Sequence, residues 1–150
     1  MDTERMRRVM ERVYGAVGQQ KASEKPDALS ELLRLETESG ALLRSVMRRS
    51  RVCMDALGGA YRRCEARRKA LAMEMFLRLG EPSPPRRMAA VPGILSALRR
   101  LVLLCRERER VYAAPERGGL PFSPEASARF AAECRSEEAA ARRLLALSQK

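Results

Sequence analysis

The chain has 150 residues, the size of one domain with one core, and its 30 Lys and Arg against 19 Asp and Glu leave a net charge of +11. Leu, Ala, Arg, Glu and Met dominate while β-branched and aromatic residues are scarce, which favours helix over sheet because straight side chains lose little rotamer freedom in a helix. No segment approaches the roughly eighteen uninterrupted apolar residues of a membrane span, and the opening MDTERMRRVMERVYG has no apolar signal-peptide stretch, so the expected location is cytoplasmic and the expected thiols reduced.

All basic residues except Lys21, Lys25, Lys69 and Lys150 are arginine, and they are spread over every predicted helix, the pattern of a solvated surface. A nucleic-acid platform also calls for stacking aromatics, and the chain has three Tyr, three Phe and no Trp. Cys53, Cys64, Cys105 and Cys134 show none of the close CxxC spacing of a zinc site and read first as small buried hydrophobes.

Residues 2–16 carry Met6, Val9, Met10 and Val13 on one side of an amphipathic helix, and the polar run GQQKASEKP ends it. Residues 1–26 are therefore expected to be an N-terminal helix and linker that packs on a main body formed by residues 27–150. Asp27 after Pro26 is an expected N-cap for a first long helix, with Leu29, Leu32, Leu33, Leu43, Val46 and Met47 in helical register to about Arg49. A second helix follows Cys53, Leu57, Ala60, Cys64, Leu71, Met75 and Leu79 and stops at Gly80. Gly58 and Gly59 inside it mark either a local weakness or the close approach of another helix.

EPSPPRRMAAVPG, with Pro82, Pro84, Pro85 and Pro92, cannot be helical throughout, and Pro92 suits the first turn of a third helix. The expected seam of that helix is Ile94, Leu95, Leu98, Leu101, Val102, Cys105, Glu109 and Tyr112. APERGGLPFSP breaks the chain again, and Ser123 before Pro124 and Glu125 signals the start of a fourth helix with Phe130, Ala131, Cys134, Ala141, Leu144 and Leu145 inward. Two short connections and one long proline-rich one predict two antiparallel helix pairs, with a middle segment of sufficient reach to run the length of the helices.

One set of polar residues recurs at matching depths along these helices. The first helix places Glu36, Ser39, Gly40 and Leu43 where a Glu-x-x-small-small-x-x-Tyr pattern would stand; the second carries CEARRKALAMEMFLRLGE; the third spaces Cys105 from Tyr112; the fourth reads SEEAAARRLLAL. With its long middle connection, this resembles the ferritin-like superfamily, particularly the small rubrerythrin-like proteins, over roughly residues 27–148. The resemblance implies an all-α, ferritin-like four-helix bundle of two antiparallel helix pairs joined by a long crossover, with a short N-terminal helix beside it. The midpoint between Glu36 and Glu65 falls near Ser50, and that between Cys105 and Glu137 near Pro121, both at expected breaks, as antiparallel neighbours require.

The superfamily holds paired metals with inward carboxylates and two Glu-x-x-His turns. By that resemblance the site positions here are Glu36, Glu65, Arg68, Cys105 and Glu137 or Glu138, with Arg68 in place of one histidine and Ala140 or Ala141 in place of the other. The chain contains no histidine, and arginine is never deprotonated, so it repels a metal ion instead of ligating it. The expectation is a vestigial site with no metal or other cofactor, in which Arg68 bridges Glu36, Glu65 and Glu137.

Three functional readings follow. The first is a non-catalytic structural or protein-interaction module, self-associating or bound to a protein partner. The second is a reduced site of Glu36, Glu65, Cys105 and Glu137 or Glu138 that takes zinc, copper or iron. The third is a basic helical protein that binds nucleic acid. No histidine for acid–base work, phosphate-cradling glycine loop or nucleophile elbow supports an enzyme, and nothing points to a membrane partner.

Overall fold

In a computed structural model the described residues are 27–80, 93–114 and 120–148. They are all-α, with four helices and no strand among them: α1 (Ala28–Arg49), α2 (Arg51–Leu79), α3 (Ile94–Tyr112) and α4 (Pro124–Ser148). The expected N-terminal helix and most of the proline-rich middle segment, Pro92 included, lie outside the described residues. No described helix is long and apolar enough to cross a membrane.

The helix ends follow local chemistry. A single residue, Ser50, separates α1 from α2; its extended backbone closes the first helix, and its Oγ accepts from the Cys53 N–H at 3.2 Å to open the second. Gly80 ends α2 at φ 73°, a left-handed conformation that a Cβ would strain. Ser123 Oγ accepts from the Ala126 N–H at 3.1 Å at the head of α4, as its sequence context predicts. Asp27 occupies the N-cap of α1 without a side-chain capping bond, and α3 starts from an extended Gly93.

The helices form a closed ring of neighbours: α1 packs on α2 and α3, and α4 packs on α3 and α2. Two apolar layers fill its interior. One contains Leu42, Leu43 and Val46 of α1, Cys53 and Leu57 of α2, Ala97 and Leu98 of α3, and Ala141 and Leu144 of α4. The other contains Leu29 and Leu32, Leu71 and Met75, Tyr112, and Ala131 and Cys134. The early part of α1 thus meets the late parts of α2 and α3 and the early part of α4, so ring neighbours are antiparallel and diagonal helices parallel.

Most expected core residues are buried, with instructive exceptions. Leu79 and Leu95 lie at the ends of their helices, 55% and 41% exposed. Glu109, placed on the α3 seam by its sequence spacing, faces outward and pairs with Arg135 at 3.0 Å. Cβ atoms at Gly58 and Gly59 would meet only Arg62 and Arg63 of the same helix, so these glycines mark a weak point in α2 and not a helix crossing. Gly40 is the position of close approach, where an added Cβ would lie 3.1 Å from Glu65 Oε1 and 3.8 Å from Cys64 Sγ.

Candidate functional site

Between the two apolar layers lies a charged one, to which every helix contributes. Two arginines occupy its centre, Arg67 of α2 at 2% exposure and Arg108 of α3 at 0%, with Glu36 of α1 and Glu137 of α4 buried between them. Burial of four such groups is tolerable only when each is neutralised and hydrogen-bonded, and the geometry supplies both.

Glu36 is the hub. Its Oε2 accepts from Arg67 Nε at 2.5 Å and from the Tyr112 hydroxyl at 3.1 Å, and its Oε1 accepts from Arg108 Nη1 at 2.5 Å and Arg67 Nη2 at 3.4 Å. Arg108 reaches across to Glu137 Oε2 through Nη2, and its Nε donates to the Leu104 carbonyl at 3.2 Å. One guanidinium thereby bridges carboxylates from two diagonal helices, a task that suits its planar fork of donors. Arg67 Nη1 donates to the part-exposed Glu133 at 2.8 Å, which extends the network to the protein surface.

Thiols line the same layer. Cys105 donates to Glu137 Oε2 at 3.0 Å, and Cys64 donates to the Glu36 backbone carbonyl at 3.4 Å. Arg108 Nη2 lies 3.2 Å from Cys105 Sγ. Burial, reinforced by Glu36 beside Cys64 and Glu137 beside Cys105, holds both thiols above their ordinary range, and burial pushes Cys134 up to about 12. Burial and Glu36 likewise raise Tyr112. Burial would lower the two arginines, but adjacent carboxylates outweigh it and hold both above the ordinary guanidinium value. Near neutral pH the layer is thus built from permanent cations, protonated thiols and a neutral phenol, and none of these is poised to exchange a proton or attack an electrophile.

The expected positions divide between this layer and the surface. Glu36, Cys105 and Glu137 are brought together inside it. Glu138 lies outside, pairing with Arg106 at 3.2 Å and Arg142 at 3.1 Å. Glu65 and Arg68 form a half-exposed pair on α2, with Arg68 Nε donating to Glu65 Oε1 at 3.1 Å and Nη2 to Oε2 at 2.9 Å. That hydrogen bond lowers the Glu65 carboxyl pKa and raises the Arg68 guanidinium pKa.

The expected Arg68 bridge is therefore corrected. Arg68 joins neither Glu36 nor Glu137, because the inward turn of α2 is Cys64-x-x-Arg67, one residue and about 100° of rotation away from Glu65-x-x-Arg68. Arg67 and Arg108 are the residues that the motif alignment missed, yet the heptad spacing carries a signal for both. The core of α2 steps through residues 57, 60, 64, 71 and 75, and that of α3 through 98, 101, 105 and 112; the vacant steps fall at 67 and 108.

Two features bear on ligands. Glu137 Oε1 makes no hydrogen bond among the described residues, its nearest cation being Arg67 Nη2 at 3.7 Å. No group of three or more Cys, Asp or Glu among the described residues is arranged to hold a metal ion. No protein-family model matches the chain, and neither a curated protein nor a solved structure matches it.

Proposed function

We propose that this chain is a metal-free, ferritin-like helical bundle, two antiparallel helix pairs joined by a long crossover, that serves as a structural or protein-interaction module. The topology supports the crossover: α2 ends beside the layer containing Leu29 and Met75, and α3 begins beside the layer containing Val46 and Leu144. The end of α2 and the start of α3 thus lie at opposite ends of the bundle, which supports a long crossover between them.

The observation that carries the functional reading is the pair of guanidinium groups at the centre. In a ferritin-like frame, facing carboxylates would hold cations in that space. Here Glu36 and Glu137 are already neutralised by Arg67 and Arg108, and an entering divalent ion would face two permanent positive charges. The residues present do not fit a paired-metal group. The reduced-site alternative is disfavoured by the same neighbours: Cys105, its softest donor, is protonated toward Glu137 and has Arg108 against its sulfur.

Elemental analysis of protein purified under reducing conditions, then challenged with ferrous iron and with zinc, tests this reading. No stoichiometric iron, manganese, zinc or copper is expected before or after the challenge. Stoichiometric zinc or copper that is lost in Cys105→Ala would replace it with the reduced-site reading. Stoichiometric iron or manganese that is lost in Glu36→Gln would overturn it outright.

A further inference from the structure

The second half of α2 carries apolar side chains on two separate faces. Cys64, Arg67, Leu71 and Met75 face the core. About 135° around the helix, Ala66, Ala70, Met73 and Leu77 recur at helical spacing on the outer face, flanked by Phe76; Met73 is 59% exposed, Leu77 69% and Phe76 44%. A helix with apolar stripes on both faces is characteristic of one covered on both, and clustered large side chains of this kind mark an interaction surface where scattered single ones do not.

We propose that this outer face of α2 is the docking site for the chain's own N-terminal segment, residues 2–16, whose Met6, Val9, Met10 and Val13 form a matching stripe in the sequence. Three quantities support that occupant. The fifteen-residue segment and the fourteen-residue stretch 66–79 of α2 match in length, roughly 22 Å and 21 Å as helix at about 1.5 Å per residue. The segment joins the described chain at Asp27, and the first turns of α1 lie beside Leu71 and Met75, level with the outer stripe. The ten connecting residues 17–26 reach up to about 33 Å at roughly 3.3 Å each, more than half the circumference of a helix about 10–12 Å across.

A second copy of the chain presents the same apolar chemistry, but a tether this short holds the N-terminal segment at millimolar effective concentration, which favours the intramolecular partner in dilute solution. The paired residues are methionine and valine against alanine, methionine and leucine. Small Ala66 and Ala70 permit close approach of the two backbones, and flexible methionines on both sides fill the remaining gaps. This inference concerns the outside of α2 and stands whether or not the interior binds metal.

Hydrogen exchange followed by mass spectrometry on the full-length chain tests it, comparing wild type with Met73→Asp/Leu77→Asp and with Met6→Asp/Met10→Asp. Amides of residues 2–16 are expected to exchange at least tenfold more slowly in wild type than in either double variant, at a rate independent of protein concentration. Unchanged exchange in residues 28–49 shows that the variants remain folded. Rapid exchange of residues 2–16 in wild type overturns the proposal. So does protection that survives Met73→Asp/Leu77→Asp, which would place the segment elsewhere. Protection that rises with protein concentration, with a Met73→Cys variant forming interchain disulfides under mild oxidation, assigns the face to a second copy and overturns it as well.

Discussion

Arg108→Met removes the group that joins two diagonal helices while keeping most of its aliphatic volume. In the native layer Arg108 donates to Glu36, to Glu137 and to the Leu104 carbonyl. Without it, Glu36 retains Arg67 and Tyr112, whereas Glu137 is left with the Cys105 thiol and an arginine 3.7 Å away. Breaking a buried ion pair from one side costs about 3–5 kcal/mol, most of it the penalty of an uncompensated charge. At roughly 2–4 °C per kcal/mol for a chain of this size, Tm should fall by about 10–15 °C. Urea unfolding followed by far-UV circular dichroism at pH 7 should report the loss as a lower midpoint at unchanged slope. The quadruple variant Glu36→Leu/Arg67→Met/Arg108→Met/Glu137→Leu should lie within about 1 kcal/mol of wild type or above it, because apolar packing replaces both the charges and their desolvation. If Arg108→Met costs under about 1 kcal/mol, the charged layer is not the constraint described here. If the quadruple variant is as unstable as the single one, shape and not charge is what the layer contributes.

Other substitutions separate residues that lie close in sequence. Arg68→Ala should cost less than about 1 kcal/mol because it breaks only a half-exposed pair one turn apart, whereas Arg67→Ala should cost several times more; equal losses in thermal melts would contradict the inward assignment of Arg67. Gly58→Ala should stabilise by roughly 0.5–1 kcal/mol, since its Cβ meets nothing closer than Arg62 Nη1 at 3.9 Å and helix propensity improves; a lower urea midpoint would reveal a contact not present among the described residues. Stability should also be lost on the alkaline side. A thiol ionises near 9 in the unfolded chain and near 12 at Cys134, so folding retains a proton that unfolding releases, and the contribution is complete below pH 9 and falls away toward pH 12. Three pH units at about 1.4 kcal/mol each set an upper bound of roughly 4 kcal/mol for this one group. Cys134→Ala should flatten the decline above pH 9 in urea titrations, and an unaltered slope would remove the thiol from that account.

The all-α class was legible from composition, and helix limits from Ser50, Gly80 and Ser123, because capping and breaking are local chemistry. Glu36 and Cys105 were legible as inward residues because resemblance and helical period agree at those positions, whereas the fourth helix left Glu137 and Glu138 as alternatives, of which the structure buries Glu137. Arg67 was not, because alignment to a Glu-x-x-His turn favours Glu65 and Arg68, where an acid is available, over Cys64 and Arg67, where the period is kept. A midpoint test cannot distinguish them, since moving one residue along α2 shifts the midpoint by only half a residue. Arg108 was obscured for a different reason: an arginine in an apolar seam reads as an interruption until the step it fills, between Cys105 and Tyr112, is noticed. Two cations filling the vacant apolar steps of two helices at equivalent depth form a stronger signal than either alone.

The positions of those cations also bear on how the four helices choose one arrangement. Apolar layers of Leu, Ala and Cys tolerate sliding or exchange of helices, because one small or branched aliphatic side chain substitutes well for another. The central layer does not. Glu36 must meet donors from both α2 and α3, and Arg108 must meet acceptors from both α1 and α4, so displacement of any one helix by a single turn leaves at least one buried charge uncompensated. Buried polar groups that cost stability relative to an apolar core can therefore fix register and neighbour order. The quadruple apolar variant separates the two contributions: it should match or exceed wild type in urea, and it should lose the single register, with broadened amide resonances or a second set of interhelical contacts. Sharp resonances and native contacts in that variant would show that the apolar layers alone specify the arrangement.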